Sequence, residues 1–188
     1  ADARAALTAI PTISLQLDPD DLFGPARGIY SNPAESGVQW ERPASVEFIL
    51  PDQARVHRVN AGLRMQGGSG RKDNKTDKYS LRLLFKGDYG PTKLEYPLFP
   101  DSPVAEFDTL VLDARMNYAW HYDGGVSPPQ QRRRAQYTRD QYVSDLHIAM
   151  GWPSPHGRAF HVYLNGLYWG VFGVHERPDA SFAAAHFG

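Results

Sequence analysis

Gly67-Gly68-Ser69-Gly70-Arg71, with Lys78 a few positions on, is the stretch whose residue types most directly suggest chemistry. Backbone amides of a glycine-rich loop can come close to phosphate oxygens, and a lysine on the adjoining strand can neutralise them. The same residues also suit an ordinary hairpin loop with a solvated lysine, and spacing alone does not separate the two. Asp145 lies on the border of a helical stripe, where a carboxylate either pairs with a buried lysine or is simply solvated. Glu176-Arg177-Pro178-Asp179 directly follows an apolar strand, a position that makes either a binding edge or a surface turn. Arg132-Arg133-Arg134, near Trp120 and Tyr137, has no wider basic surface behind it and reads as a solvated loop.

Several chemistries are excluded by residue type and spacing. Cysteine is absent, so neither disulfides nor thiolate metal sites can form. The histidines (His57, His121, His147, His156, His161, His175 and His186) show no HxH or HExxH spacing, so no metal site is expected. No Gly-x-Ser-x-Gly elbow and no complete phosphate loop ending in Gly-Lys-Ser/Thr is present. A formal net charge of −1 supplies no overall basic field for nucleic acid. No apolar run approaches the length of a transmembrane helix. The sequence leaves the oligomeric state open.

The elements that must position these residues can be read from periodicity. A chain of 188 residues with 41% apolar and 22% charged residues is expected to form one domain with a sizeable core. Gly 17, Pro 15 and a high aromatic content favour short strands and many turns over helices. Ile10 to Leu17, Ser45 to Leu50 and Phe107 to Leu112 are strand-like. From Arg58 the pattern alternates, with Val59, Ala61, Leu63 and Met65 on one face. Lys78 to Lys86 alternates again, placing Leu81, Leu83 and Phe85 opposite Lys78, Ser80 and Arg82. These two strands and the loop between them predict a hairpin with one polar face. Asp123 to Ala135 reads as a mobile loop.

One helix stands out, from Thr138 to Met150. Thr138 and Gln141 form a capping box with Tyr137 and Tyr142 as its staple, and Gly151 and Pro153 stop it. Its expected buried stripe is Tyr142, Val143, Leu146, Ala149 and Met150. Asn165-Gly166 then predicts a type I′ hairpin. Simple alternation from that turn puts Phe160, Val162, Leu164, Leu167, Trp169 and Val171 on one buried face. His161, Tyr163, Tyr168, Phe172 and Val174 take the other, with His161 and Tyr163 as packing residues.

The order of these pieces resembles the CotH kinase family, the spore coat protein H type of atypical secreted kinases. The resemblance runs from Gly28-Ile29-Tyr30-Ser31-Asn32-Pro33 and Trp40-Glu41-Arg42-Pro43 through Gly62-Leu63-Arg64-Met65-Gln66-Gly67-Gly68 and Lys78-Tyr79-Ser80-Leu81-Arg82. It continues with Tyr96-Pro97-Leu98-Phe99, Phe107-Asp108-Thr109-Leu110-Val111-Leu112 and Arg139-Asp140-Gln141. Tyr163-Leu164-Asn165-Gly166-Leu167-Tyr168-Trp169-Gly170 and Glu176-Arg177-Pro178-Asp179 complete it, so about 28–188 is covered. Two positions depart from the pattern. Gly70 separates Ser69 from Arg71, and Asp113 stands where an arginine usually follows the strand.

The resemblance implies an α+β fold, an antiparallel sheet with one main packed helix like an atypical protein-kinase N-lobe. It implies ATP with Mg or Mn, and transfer of phosphate to serine or threonine of a protein substrate. Lys78 and Asp145 would be the catalytic pair, with Asp145 the lysine's partner. Gly67, Gly68, Ser69, Arg71, Lys78, Arg82, Glu176 and Asp179 would bind the cofactor, Glu176 leading into the edge of the adenine pocket. A secreted or cell-surface location follows from the same resemblance. The chain begins at Ala1 and stops where the family continues into a second, catalytic lobe. It is therefore expected to be excised from something longer and inactive as it stands. Two other readings remain, a non-catalytic β-rich module binding carbohydrate or protein through exposed aromatics, and a pseudokinase scaffold.

Overall fold

In a computed structural model, residues 2–51, 53, 55–71, 76–116, 119 and 135–188 are described. Seven strands close into a barrel. Around the ring the neighbours are β1 (Thr12–Gln16), β2 (Arg42–Ile49), β3 (His57–Met65), β4 (Leu81–Leu84), β7 (Thr109–Asp113), β9 (Leu167–Glu176) and β8 (Gly157–Leu164). Two short strands, β5 (Leu94–Glu95) and β6 (Glu106–Phe107), form a separate ladder. The ring is completed by β1, which pairs antiparallel with β2 and parallel with β8. Ile13 therefore faces Phe48 on one side and Val162 on the other.

Alternation along the strands fills the interior. Ile13 and Leu15, Val46 and Phe48, Ala61 and Leu63, Leu81 and Leu83, Leu110 and Leu112, Phe160 and Val162, and Phe172 and Val174 are all buried. The hairpin expected from the two alternating runs is present as β3–β4, with Met65 opposite Leu81 and Leu63 opposite Leu83.

The expected α+β architecture is overturned by this ring. The chain is mostly β with small helices: α1 (Ala3–Thr8), α2 (Pro19–Phe23), α3 (Arg139–Ala149) and α4 (Ala180–Phe187). α3 is not a packed helix, because none of its residues is buried and Tyr142 is 62% exposed. Thr138 makes no side-chain cap, and Gln141 donates to Asp145 (2.7 Å) instead of closing a capping box. Gly151, at φ +81°, does end the helical segment as expected. The physical reason for the missing packing is closure. An open sheet needs a helix over its apolar face, whereas a sheet closed on itself buries that face inside. The expected stripe of α3 therefore has no apolar surface left to cover.

The β8–β9 hairpin shows a second difference. Asn165 and Gly166 take φ +48° and +80°, as a type I′ turn requires. Beyond the turn, Tyr163 pairs with Tyr168 but Val162 pairs with Gly170, so Trp169 is the extra residue of a bulge. One inserted residue reverses which side chains point inward. Phe172 and Val174 enter the core, while Trp169 is only partly buried against its edge and Leu167 is exposed. The loop expected over 123–135 and the arginine run Arg132-Arg133-Arg134 lie outside the described residues, Ala135 excepted. No helix among the described residues is long and apolar enough to cross a membrane.

Candidate functional site

The glycine loop leaves β3 at Gly67, whose φ is +100°, and makes a single 3-10 turn at Ser69–Arg71. Arg71 is spent on carbonyl groups. It donates to Gly67 O, to Pro33 O (3.1 Å) and to Glu35 O (2.6 Å), pinning the loop to an earlier segment. Gly67 to Gly70 edge a cleft of about 340 Å3 whose other walls include Lys78, Ser80, Asp113 and Arg115.

Lys78 is held by β9, two residues beyond the bulge. Its Nζ donates to Val171 O and to Tyr137 Oη (3.0 Å), and lies 4.2 Å from the centre of the Phe172 ring. Burial pushes the ammonium down to about 8, Asp113 opposing the fall and Arg115 adding to it. Its carboxylate neighbour is therefore Asp113. Asp145 is exposed on α3, engaged by Gln141, and lines the apolar cleft described below.

Asp113 and Ser80 build the turn after β7. Ser80 Oγ donates to Asp113 Oδ1 (3.0 Å) and accepts the Ala114 N–H (2.9 Å), and Asp113 Oδ1 also accepts the Arg115 N–H (2.9 Å). An aspartate bonding the backbone two residues on is an Asx turn, which tolerates the left-handed region. Arg115 adopts φ +60° there. Its guanidinium is buried, 5% exposed as a residue, and Nε and Nη1 have no hydrogen-bond partner among the described residues. Its Nε–Nη2 edge is turned toward Gly173, where a Cβ would stand 2.1 Å from Nη2, so only glycine leaves it this place. Arg115 also lines a second cleft of about 400 Å3, more apolar, bounded by Tyr137, Tyr142, Ala159, Val171 and Phe172.

The remaining expected residues are dispersed. Arg82 is buried on the outer face of β4, donating through Nε to Gln66 Oε1 (2.7 Å). Burial, with Arg177 and Arg64 nearby, pushes it down to about 10, so it remains a cation at neutral pH. Glu176 is buried with its carboxylate committed to His156 and His186. Asp179 caps α4, accepting from Ser181 N (3.1 Å) and Phe182 N (3.2 Å), and pairs with Arg177 (2.9 Å).

Sequence reasoning missed Arg115, Asp113 as a site group, and Asp140, which lines the polar cleft. Asp113-Ala114-Arg115 carried one available signal, an aspartate immediately after a strand with a cation two residues on. A β-barrel bearing a glycine-edged polar cleft next to an apolar one is the class that fold and site define. A family model described as CotH kinase protein matches residues 63–188, well over half of the sequence. The chain belongs to the CotH kinase family. A search of curated proteins finds no match.

Proposed function

We propose that this chain binds ATP, the phosphates in the polar cleft and the base in the apolar one, as the nucleotide-binding part of a CotH-type kinase. The observation that carries this reading is Arg115. A buried guanidinium with two unpartnered nitrogens costs the fold about 1–3 kcal/mol or more. An anionic ligand between Lys78, Arg115 and the Gly67–Gly70 amides would offset that buried charge and be held by charge-assisted bonds. Arg115 sits where the two clefts meet, which suits a molecule with a flat apolar end and an anionic end.

ATP, when bound, supplies the transferable phosphoryl group, and a divalent ion such as Mg or Mn would be held from Asp113 and Asp140, the two carboxylates lining the polar cleft. Asp113 already accepts two hydrogen bonds through Oδ1, so this pair is a weak clamp for transfer. The 188-residue chain should therefore bind nucleotide without phosphorylating protein. Serine or threonine of a protein substrate, and a secreted setting, extend the proposal with family membership as their support.

Calorimetric titration of the chain with ATP and Mg tests the reading. Saturable binding is expected, weakened at least tenfold by Lys78→Met and by Arg115→Met. Arg115→Met should be no less stable than the parent, because it removes unpartnered buried groups. Absence of saturable binding, or affinity in both variants unchanged from the parent chain, overturns the reading.

The exposed aromatics Tyr142 and Trp152 on and beyond α3 favour a second reading, a surface that docks carbohydrate or protein. Trp152→Ala, outside both clefts, would weaken binding to such a partner and leave ATP binding intact.

A further inference from the structure

Glu176 occupies an inward-facing position at the end of the barrel, opposite Leu110 and in the row of Val174 and Phe172. A carboxylate on an apolar row must be compensated. Its partners come from two separate places. His156, just before β8, donates its backbone N–H to Glu176 Oε2 (2.8 Å) and sets Nδ1 3.1 Å from the same oxygen. His186, in the last turn of α4, sets Nε2 2.8 Å from Oε1. The two imidazoles are stacked, 7° from parallel with centres 5.7 Å apart. His156 Nδ1, a Glu176 oxygen and His186 Nε2 all lie within 4.8 Å of one another. The side chains are 11%, 5% and 9% exposed.

We propose that His156, Glu176 and His186 form a binding site for a divalent ion of the zinc class. Two imidazole nitrogens and one carboxylate are a ligand set that zinc takes, leaving a fourth position for water. Tetrahedral bonds of the usual length place neighbouring ligand atoms about 3.3 Å apart. The two nitrogen–oxygen separations are 3.1 and 2.8 Å and all three ligand atoms lie within 4.8 Å, so a modest side-chain adjustment brings them around one ion. The ion would accept lone pairs from His156 Nδ1 and His186 Nε2, and each ring would carry its proton on the other nitrogen. Without the ion, a carboxylate is buried against two rings; with it, the dication offsets that charge. Two nitrogens in the set disfavour magnesium and calcium, which prefer oxygen shells of six or more. The site is thus separate in position and in ion preference from the nucleotide cleft.

The consequence is mechanical. None of the residues of α4 is buried, and His186 reaches from it to the barrel end. An ion there would staple α4 to β9 and to the segment entering β8, three pieces spanning residues 156 to 186.

The test uses the whole chain, stripped with a chelator and dialysed, then titrated with zinc chloride, with magnesium chloride as the contrast. Circular dichroism checks each variant for folding. One equivalent of zinc is expected to bind and raise the thermal midpoint, magnesium should not, and cobalt at the same site should give the visible absorption of a tetrahedral complex. His186→Asn, at the edge of the fold, and Glu176→Gln should each weaken zinc binding at least tenfold. If Glu176→Gln fails to fold, His186→Asn decides alone. No saturable zinc binding, or binding unchanged in His186→Asn, would show that the cluster is a hydrogen-bonded clamp and not a metal site.

Discussion

At Lys78, two requirements pull against each other. The ammonium must be buried deeply enough to meet a ligand in a water-poor cleft, yet burial disfavours its charge and brings it down from 10.5 to about 8. Folding therefore expels a proton that the unfolded chain keeps between about pH 8 and 10.5. Stability attributable to Lys78 rises with pH across that window and is lowest below it. The difference in urea midpoint between the chain and Lys78→Met should accordingly shrink as pH rises from 7.5 to about 9.5, if Lys78 is the group responsible. Ligand affinity should move the opposite way, since a discharged lysine no longer attracts phosphate. Titrating ATP at pH 7 and pH 9 measures that loss, and Lys78→Met should be indifferent to the change. A flat stability difference together with a flat affinity would mean that the amine is not the titrating group.

At the level of elements, the bulge in β9 decides which aromatics hold the barrel. Phe160 is fully buried, whereas Trp169 sits at the edge, its Nε1 donating to Tyr30 Oη (2.9 Å) and its ring edge-on to Tyr30 at 5.3 Å. Tyr30 Oη in turn donates to Asp77 O (2.8 Å), so this pair ties an early segment to the approach of Lys78. Phe160→Ala should cost about 3–5 kcal/mol, as removal of a core aromatic does. Trp169→Ala should cost less, about 2 kcal/mol for partial burial and one hydrogen bond. Chemical denaturation of the two variants gives the order directly. A larger loss in Trp169→Ala would place the bulge elsewhere. The same element logic explains α3, none of whose residues is buried because the barrel has no open face to offer them.

For the whole molecule, closure is the dominant fact. The family match begins at Leu63, but β1, β2 and two thirds of β3 precede it, and β1 is the strand that joins both ends of the ring. A chain of residues 63–188 alone would leave β4 and β8 as unpaired edges with the inner face exposed. It should lose cooperative unfolding and aggregate, while the 188-residue chain melts in one transition. Thermal denaturation with light scattering compares the two. A cooperative, monomeric 63–188 would show that the barrel is not one folding unit.

Local pattern carried much of this protein. The period-two runs around Leu63 and Leu83, the Asn165-Gly166 turn and the stop at Gly151 depend on backbone preferences and side-chain alternation within a few residues, and each appears where the sequence placed it. The motif order likewise identified the family, because that order is a property of the chain itself. The closing pair Ile13–Val162, the bulge at Trp169 and the exposure of α3 were settled by contacts between distant segments, which leave no periodic trace. The partners of Lys78 came from Asp113, Tyr137 and Val171, not from Asp145 on the helix that the family resemblance implied. His156 and His186 share no ligand spacing, and only folding brings them to the same carboxylate. A sequence records which faces are apolar; which surface covers each face is set by closure of the ring, and that closure decided where the charged groups could gather.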